Sequence, residues 1–257
     1  MLELKGLMRG LGAYFQVIPL FSKLGLWRYV LLTAAIALGL LLVLVPVAII
    51  LGRLVYGLIA TTLLTQLQEW SALSQSLVIA VIILALLVVV ALVYKHLLLV
   101  ATAPWMSAVA ARVTSHAQAG KGVHRLGSDD ADQEHETATW QRSIRLNLRL
   151  LTKELMYTLP LIVVGFIPGV NLLGAVALLA VQSFYVGVGS LDYAVERRYA
   201  YRPSIAFYNA HKGLAAGVGA GFVALMATGV GVLLAPAWSA AAGAYAYAMD
   251  ASRKQQD

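Results

Sequence analysis

The chain has 257 residues, of which 60% are hydrophobic and only 12% are charged. Soluble domains usually contain about 25% charged residues, and a soluble chain of this length could not bury so much apolar surface. The composition therefore excludes an ordinary soluble enzyme and predicts an integral membrane protein. The net charge of +7 would favour nucleic acid in a soluble domain. In a membrane protein Lys and Arg collect in cytoplasmic loops, so we expect no nucleic-acid partner.

The sequence contains no cysteine, which excludes a disulfide scaffold, a cysteine-based zinc site and a thiol nucleophile. His135 and Glu136 begin like a metalloprotease motif, but position 139 is Thr, so the second histidine is missing. Asp129 and Asp130 lie in a stretch that is typical of a solvated loop. We therefore predict that the chain is not an enzyme and has no catalytic residues, no metal site and no cofactor.

Residues 1–28 precede the first long apolar run and are expected to form an interfacial segment. The weakly apolar stretch from Leu11 to Phe21 follows charged residues, and no small-residue pattern typical of signal cleavage comes after it. We predict a helix in the plane of the membrane surface, with Tyr14, Phe15 and Phe21 in lipid.

Two long apolar runs follow, at residues 29–64 and 77–105. A helix rises about 1.5 Å per residue, so each run is long enough to cross the ~30 Å hydrocarbon core of a bilayer. Lys95 and His96 interrupt the second run, but the apolar residues before them already suffice for one crossing. We predict a spanning helix from each run.

Residues 106–154 contain the main hydrophilic stretch. The part from Gly120 to Glu136 combines turn-forming residues with charges of both signs, which predicts a flexible loop. From Arg142 to Lys153 basic residues recur near helical spacing with apolar residues between them. This pattern predicts a basic amphipathic helix at the cytoplasmic surface.

The apolar regions at residues 155–191 and 213–249 are each too long for one crossing and too short for two full crossings with a loop. Turn-forming residues interrupt the first region around Pro168 and Gly169, and the second near Gly229. Each region is flanked by basic residues at both ends, so both ends should lie on one side of the membrane. We predict two helical hairpins that penetrate the bilayer fully or in part.

The predicted fold class is thus an all-α integral membrane protein, with two full transmembrane helices and two interrupted hairpins in one membrane domain, residues 1–257. Within the last hairpin, Gly213, Gly217 and Gly221 have the small-xxx-small spacing that lets helices approach closely in lipid. A dinucleotide-binding function for these glycines is excluded, because no strand precedes them. We expect them to serve helix packing.

Short motifs along nearly the whole chain resemble, in their order and spacing, the CysZ-type sulfate permease family, which has a eukaryotic, etoposide-induced branch. The motifs are Gly25–Val30, Ala103–Trp105, Lys153–Pro160, Ile167–Asn171, Leu191–Tyr193, Pro236 and Gly243–Ala244. The resemblance implies a bacterial inner-membrane protein that admits sulfate for cysteine synthesis. It also implies long transmembrane helices, helical hairpins and a homo-oligomer.

The resemblance further implies a substrate site at the turn before the first span, which here consists of Gly25, Leu26, Trp27 and Arg28. Trp27 stands where the family usually has Arg, so one of two anion-binding cations is missing. A helix N-terminus offers free N–H donors to such an anion, and Arg28 adds positive charge. The alternative is that Arg28 only anchors the helix end among lipid headgroups.

We therefore predict a channel-like permease for sulfate or a related oxyanion, which feeds sulfur assimilation and has the lipid bilayer and further copies of itself as partners. The alternative is a membrane scaffold that keeps the family fold and transports nothing. A conductor needs polar or open-backbone positions at membrane depth, whereas a scaffold needs only a surface. The interrupted hairpins favour conduction.

Both termini and the hydrophilic stretch from Arg112 to Glu154 are expected to face the cytoplasm, because nearly all Lys and Arg lie in such segments. Single cysteines introduced into this cysteine-free chain at Ser128 and Ser252 allow a direct check. A membrane-impermeant maleimide should label neither position in spheroplasts and both positions after lysis. Labelling of either cysteine from the periplasmic side would contradict this topology.

Overall fold

The computed structural model describes residues 4–66, 72–119, 132–165, 167, 169–229 and 231–253. All regular secondary structure in these ranges is α-helical. The helices are α1 (Leu4–Gln16), α2 (Ile18–Lys23), α3 (Trp27–Gln66), α4 (Ala72–Ala119), α5 (Asp132–Gly165), α6 (Asn171–Val195), α7 (Tyr201–Ala210), α8 (Lys212–Ala227) and α9 (Gly231–Arg253). The prediction of an all-α chain is confirmed. Most of the predicted flexible loop, with Ser128 in it, and the predicted turn residue Pro168 lie outside the described residues.

Four helical stretches are long and apolar enough to cross a membrane: Trp27–Val55, Leu86–Ala119, Asn171–Val195 and Gly231–Ala251. The helices α7 and α8 meet at 89°, and together they would make a fifth, broken span. These lengths and compositions confirm a multi-pass helical membrane protein.

Both predicted interruptions are breaks between two helices that pack on each other, α5 with α6 and α8 with α9. Gly169 in the first break has φ +86° and Gly229 in the second has φ +73°, a backbone region that glycine enters without steric cost. The Asn171 side-chain oxygen accepts a hydrogen bond from the N–H of Leu172, at 2.9 Å. The Thr228 hydroxyl accepts one from the N–H of Gly231, at 3.1 Å. The two hairpins are therefore set by local turn chemistry.

Glycines place α8 in direct backbone contact with α1 on one side and α6 on the other. A Cβ atom added to Gly217 would lie 2.2 Å from the carbonyl oxygen of Leu7 in α1. One added to Gly187 in α6 would lie 1.8 Å from the carbonyl oxygen of Ala215. Such close approach is the usual means of helix association in lipid, where apolar surfaces gain nothing by leaving solvent. The predicted packing role of the glycine series is confirmed.

The N-terminal segment packs on protein where the sequence predicted lipid. Tyr14 and Phe21 are buried, and only Phe15 of the three predicted lipid-facing aromatics is exposed, at 75%. The Tyr14 hydroxyl donates to the carbonyl oxygen of Val218 at 2.7 Å, and Phe21 packs 5.0 Å from the ring of Trp238. The prediction for Tyr14 and Phe21 is wrong, because α1 packs Tyr14 against the glycine-lined surface of α8 and α2 packs Phe21 against Trp238 of α9.

The predicted amphipathic helix and the first arm of the first hairpin form one continuous helix, α5. Residues 132–136, which the sequence analysis placed in a flexible loop, belong to its first turn. That segment contains neither Gly nor Pro, and acidic residues are in general favoured in the first turn of a helix. The charge that indicated a loop is therefore equally compatible with a helix start.

Gly187→Ala should lower the unfolding temperature of the purified protein, because the new methyl group would meet backbone atoms that no side-chain motion can clear. Overpacking of this kind costs about 1–3 kcal/mol or more. Gly39→Ala in α3 is the matched control, since nothing lies within 4 Å of its added Cβ. The control should be neutral or slightly stabilising. Equal unfolding temperatures for the two variants would contradict the close crossing of α6 and α8.

Candidate functional site

The protein-facing side of α5 carries four polar side chains among apolar ones such as Leu146 and Leu150. The buried polar residues recur at helical spacing on one face and are Ser143, Asn147, Glu154 and Thr158. The outer side exposes apolar residues such as Leu148 beside basic residues such as Arg149. The buried polar groups of α5 therefore lie where other helices pack on it.

The most strongly charged part of this interior joins α5 to α4. The Glu154 carboxylate, which is fully buried, accepts a hydrogen bond from Lys95 Nζ at 2.6 Å through Oε1. Its other oxygen, Oε2, lies 3.0 Å from His96 Nε2. Lys95 and His96 are 6% and 3% exposed. Ionisable groups in this position within a membrane protein commonly mark ion pathways or substrate sites.

Asn147 determines which nitrogen of His96 carries a proton. The Asn147 amide nitrogen donates to the carbonyl oxygen of Ser143 at 3.0 Å, which directs its Oδ1 toward His96 Nδ1, also at 3.0 Å. Since an amide oxygen only accepts, Nδ1 must donate. Nε2 of the same ring faces the second oxygen of the Glu154 carboxyl group. Lys95 and His96 thus converge on one acidic side chain.

Only half of this cluster was accessible to sequence analysis. Lys95 and His96 stand out as charged residues in an apolar run, and buried ions require partners. Glu154 ends the hydrophilic stretch of the sequence, next to basic residues, so the sequence does not indicate that it pairs with Lys95 and His96 on another helix.

A second polar cluster joins α5 to α6 and α7. The Arg142 guanidinium donates to both carboxylate oxygens of Asp192, at 2.7 and 3.2 Å, and to the carbonyl oxygen of Tyr199 at 2.6 Å. The Tyr208 hydroxyl donates to the same carboxylate. Arg142 was predicted to lie at the membrane surface, whereas the structure places it in a bidentate, partly buried ion pair. The two hydrogen bonds between Arg142 and Asp192 fix the relative orientation of both side chains and hold the C-terminal end of α6 in place.

Glu196 lies next to this cluster, just beyond α6. Its Oε1 atom is buried and, among the described residues, has no hydrogen-bond partner. Burial, and secondarily the negative charge of Asp192, raise the pKa of Glu196 from 4.5 to about 7. Ser107 opposes this shift without completing a hydrogen bond to the carboxylate. Glu196 therefore changes its charge near neutral pH.

The turn that the sequence analysis selected joins α2 to α3. Gly25 has φ +62°, and Leu26 is fully buried as an anchor in the core. Trp27 is 48% exposed and packs 5.6 Å from the ring of Phe21. The N–H groups of Tyr29 and Val30 donate to the carbonyl oxygen of Leu26, at 2.9 and 3.3 Å, and those of Trp27 and Arg28 precede the helix's own hydrogen-bond ladder. These features make the turn open to an anion on its outer side.

Two arginines flank this turn, one of them from a distant helix. The Arg28 guanidinium carbon lies 4.9 Å from the centre of the Tyr29 ring, and Arg28 also donates to the Tyr29 hydroxyl at 3.2 Å. Arg112 of α4 lies 5.4 Å from the centre of the same ring and donates to the carbonyl oxygen of Leu24 at 3.4 Å. Arg112 could not be assigned to this turn from the sequence, because only the packing of α3 against α4 brings it here.

The sequence family of the chain agrees with these features. A family model described as "Sulfate transporter CysZ/Etoposide-induced protein 2.4" matches residues 13–236, from α1 into α9. The matched range includes the α2–α3 turn and the Lys95–Glu154 cluster. No individual curated protein matches the chain.

Stability should depend on pH through Glu196. The pKa of its carboxyl is higher in the folded protein than the usual 4.5, so the stability it contributes is fully present below pH 4.5 and is lost as pH rises through about 7. The full loss corresponds to about 3 kcal/mol. Glu196→Gln should remove this dependence. Unfolding temperatures between about pH 5 and pH 8 check it, and parallel curves for both proteins would contradict it.

Proposed function

The chain belongs to the sulfate transporter CysZ/etoposide-induced protein 2.4 family, and on that premise we propose that it is a channel-like permease for sulfate or a related oxyanion. The description of the family names a transporter and not an enzyme, which agrees with the lack of enzyme motifs in the sequence. The observation that carries the proposal is the pair of arginines, Arg28 and Arg112, at the α2–α3 turn.

The turn has the components that an oxyanion site requires. The start of α3 offers free N–H groups and the positive end of a long helix dipole. Gly25 carries no side chain that would keep an anion from the backbone. Guanidinium groups form short, charge-assisted hydrogen bonds with oxyanions. Arg112 supplies a second cation at the site where Trp27 replaces the family's usual arginine, so a divalent anion meets two positive charges.

The buried ion pairs favour conduction over a purely structural role. Taking Lys95 and Glu154 out of water costs several kcal/mol for each ion, and the mutual attraction offsets this only in good geometry. Well-packed apolar residues would hold a scaffold together equally well. A polar interior bounded by α4, α5 and α6 is what a path for an ion needs.

The proposal also includes the location, the topology and the assembly of the chain. We propose that residues 1–257 form one membrane domain in the bacterial inner membrane, with both termini in the cytoplasm and the α2–α3 turn on that side. In this arrangement the permease feeds sulfur assimilation as a homo-oligomer. Residues 155–191 and 213–249 would then enter the bilayer from the cytoplasmic face.

Sulfate flux into proteoliposomes tests the proposal and the role of both arginines. Arg28→Gln and Arg112→Gln should each raise the half-saturating sulfate concentration about tenfold, because a hydrogen bond to a charged group is worth about 1.5–3 kcal/mol. Arg28→Lys should lose less, since it keeps the charge but not the planar fork. Trp27→Arg should increase affinity. Arg53→Gln is the control, an exposed arginine within the same helix.

Wild-type flux in both glutamine variants would show that Arg28 and Arg112 anchor the helix ends and bind no substrate. A wild-type protein that carries no sulfate, phosphate or other oxyanion into liposomes would contradict the permease itself. The scaffold would then be the function that remains.

A further inference from the structure

The Glu154 carboxylate occupies a position that has the chemistry of an anion-binding site. It receives Lys95 Nζ on one oxygen at 2.6 Å and faces His96 Nε2 with the other at 3.0 Å. All three side chains are more than nine-tenths buried. Without the carboxyl group, Lys95 Nζ and His96 Nε2 would still converge on the position that it occupies.

Two nitrogen groups from α4 converge on the Glu154 side chain. Asn147 accepts from His96 Nδ1, which leaves His96 Nε2 directed at one oxygen of Glu154. Lys95 Nζ donates to the other oxygen. A tetrahedral oxyanion in the same position would meet the same two groups with two of its oxygens.

Thr158 provides a third donor that the protein itself does not use. Its side chain is fully buried, and its Oγ1 atom has no hydrogen-bond partner among the described residues. It lies one helical turn beyond Glu154 on the same face of α5. A buried hydroxyl without a partner is costly and needs an explanation. A carboxylate has two oxygens to offer, whereas a tetrahedral oxyanion has four.

We propose that Lys95, His96 and Thr158 form an internal binding site for a divalent tetrahedral oxyanion, in which Glu154 is a tethered competitor. Without substrate, the Glu154 side chain occupies the position between Lys95 and His96. An incoming oxyanion takes its place, and the flexible Glu154 side chain turns aside. The inference rests on the proposed function, because it describes where the anion goes after the α2–α3 turn.

Sulfate-dependent unfolding temperatures of the purified protein test this site independently of flux. All proteins would carry Arg28→Gln and Arg112→Gln, so that the turn does not contribute. Adding Glu154→Gln removes the competitor, so the sulfate concentration that gives half the stabilisation should fall about tenfold. Chloride at equal ionic strength should not reproduce the effect. Thr158→Val, added to Glu154→Gln, should reverse part of the gain.

An unchanged sulfate response in Glu154→Gln would overturn the inference. Because this variant leaves a buried cation unpaired and is at risk of misfolding, the neutral pair Lys95→Met with Glu154→Gln is the second probe. It should fold and show at least about tenfold weaker sulfate flux in an otherwise wild-type background. Wild-type flux in the neutral pair would also overturn the internal site. Absent flux in the wild-type protein would instead contradict the permease, so the two failures are distinguishable.

Discussion

The ion pair between Lys95 and Glu154 determines how α4 and α5 are placed against each other. In a membrane a charged side chain has few alternatives to a partner, so each ion restricts where the other helix can lie. Loss of one partner from a buried pair costs about 3–5 kcal/mol, because an uncompensated charge remains. The pair thereby fixes α5, and α5 positions Arg142, which in turn holds Asp192 at the end of α6.

The other half of the molecule is held together mainly by backbone contact, beside an ion pair between Arg9 of α1 and Asp250 of α9. Glycines bring the backbones of α1, α6 and α8 into contact, and the Tyr14 hydroxyl adds a hydrogen bond to the carbonyl oxygen of Val218. Since lipid is as apolar as the helices, this close packing supplies the attraction that burial supplies in water. α6 belongs to both halves, with Gly187 toward α8 and Asp192 toward α5.

Features that depend on local chemistry were predictable from the sequence. The helical spans follow from uninterrupted apolar runs, and the hairpin breaks follow from Gly169 and Gly229, whose positive φ angles few other residues adopt. The packing role of the glycines around Gly217 also follows from spacing alone. The α2–α3 turn was identified from Arg28 at the start of the first span and from the family resemblance, and its role as a site stays a prediction.

Features that depend on distant partners were not predictable. Tyr14 faces protein and not lipid because α8 presents a surface without side chains, which no residue near Tyr14 reveals. Glu154 lies among basic residues in the sequence, yet its partners are Lys95 and His96 on another helix. Arg112 reaches the α2–α3 turn only because α3 and α4 pack together. These contacts join residues that lie far apart in the sequence, so the sequence alone does not reveal them.

The double attachment of α6 has a mechanical consequence. With no clearance at Gly187 against the backbone of α8, α6 cannot rotate about its axis. With Asp192 held by two hydrogen bonds from Arg142, it cannot slide along that axis either. α6 is therefore the element against which the other helices would have to move. Any opening between α4 and α5 must then be carried by α4 or by side-chain rotamers alone, which points to motions faster and smaller than rocking of whole domains.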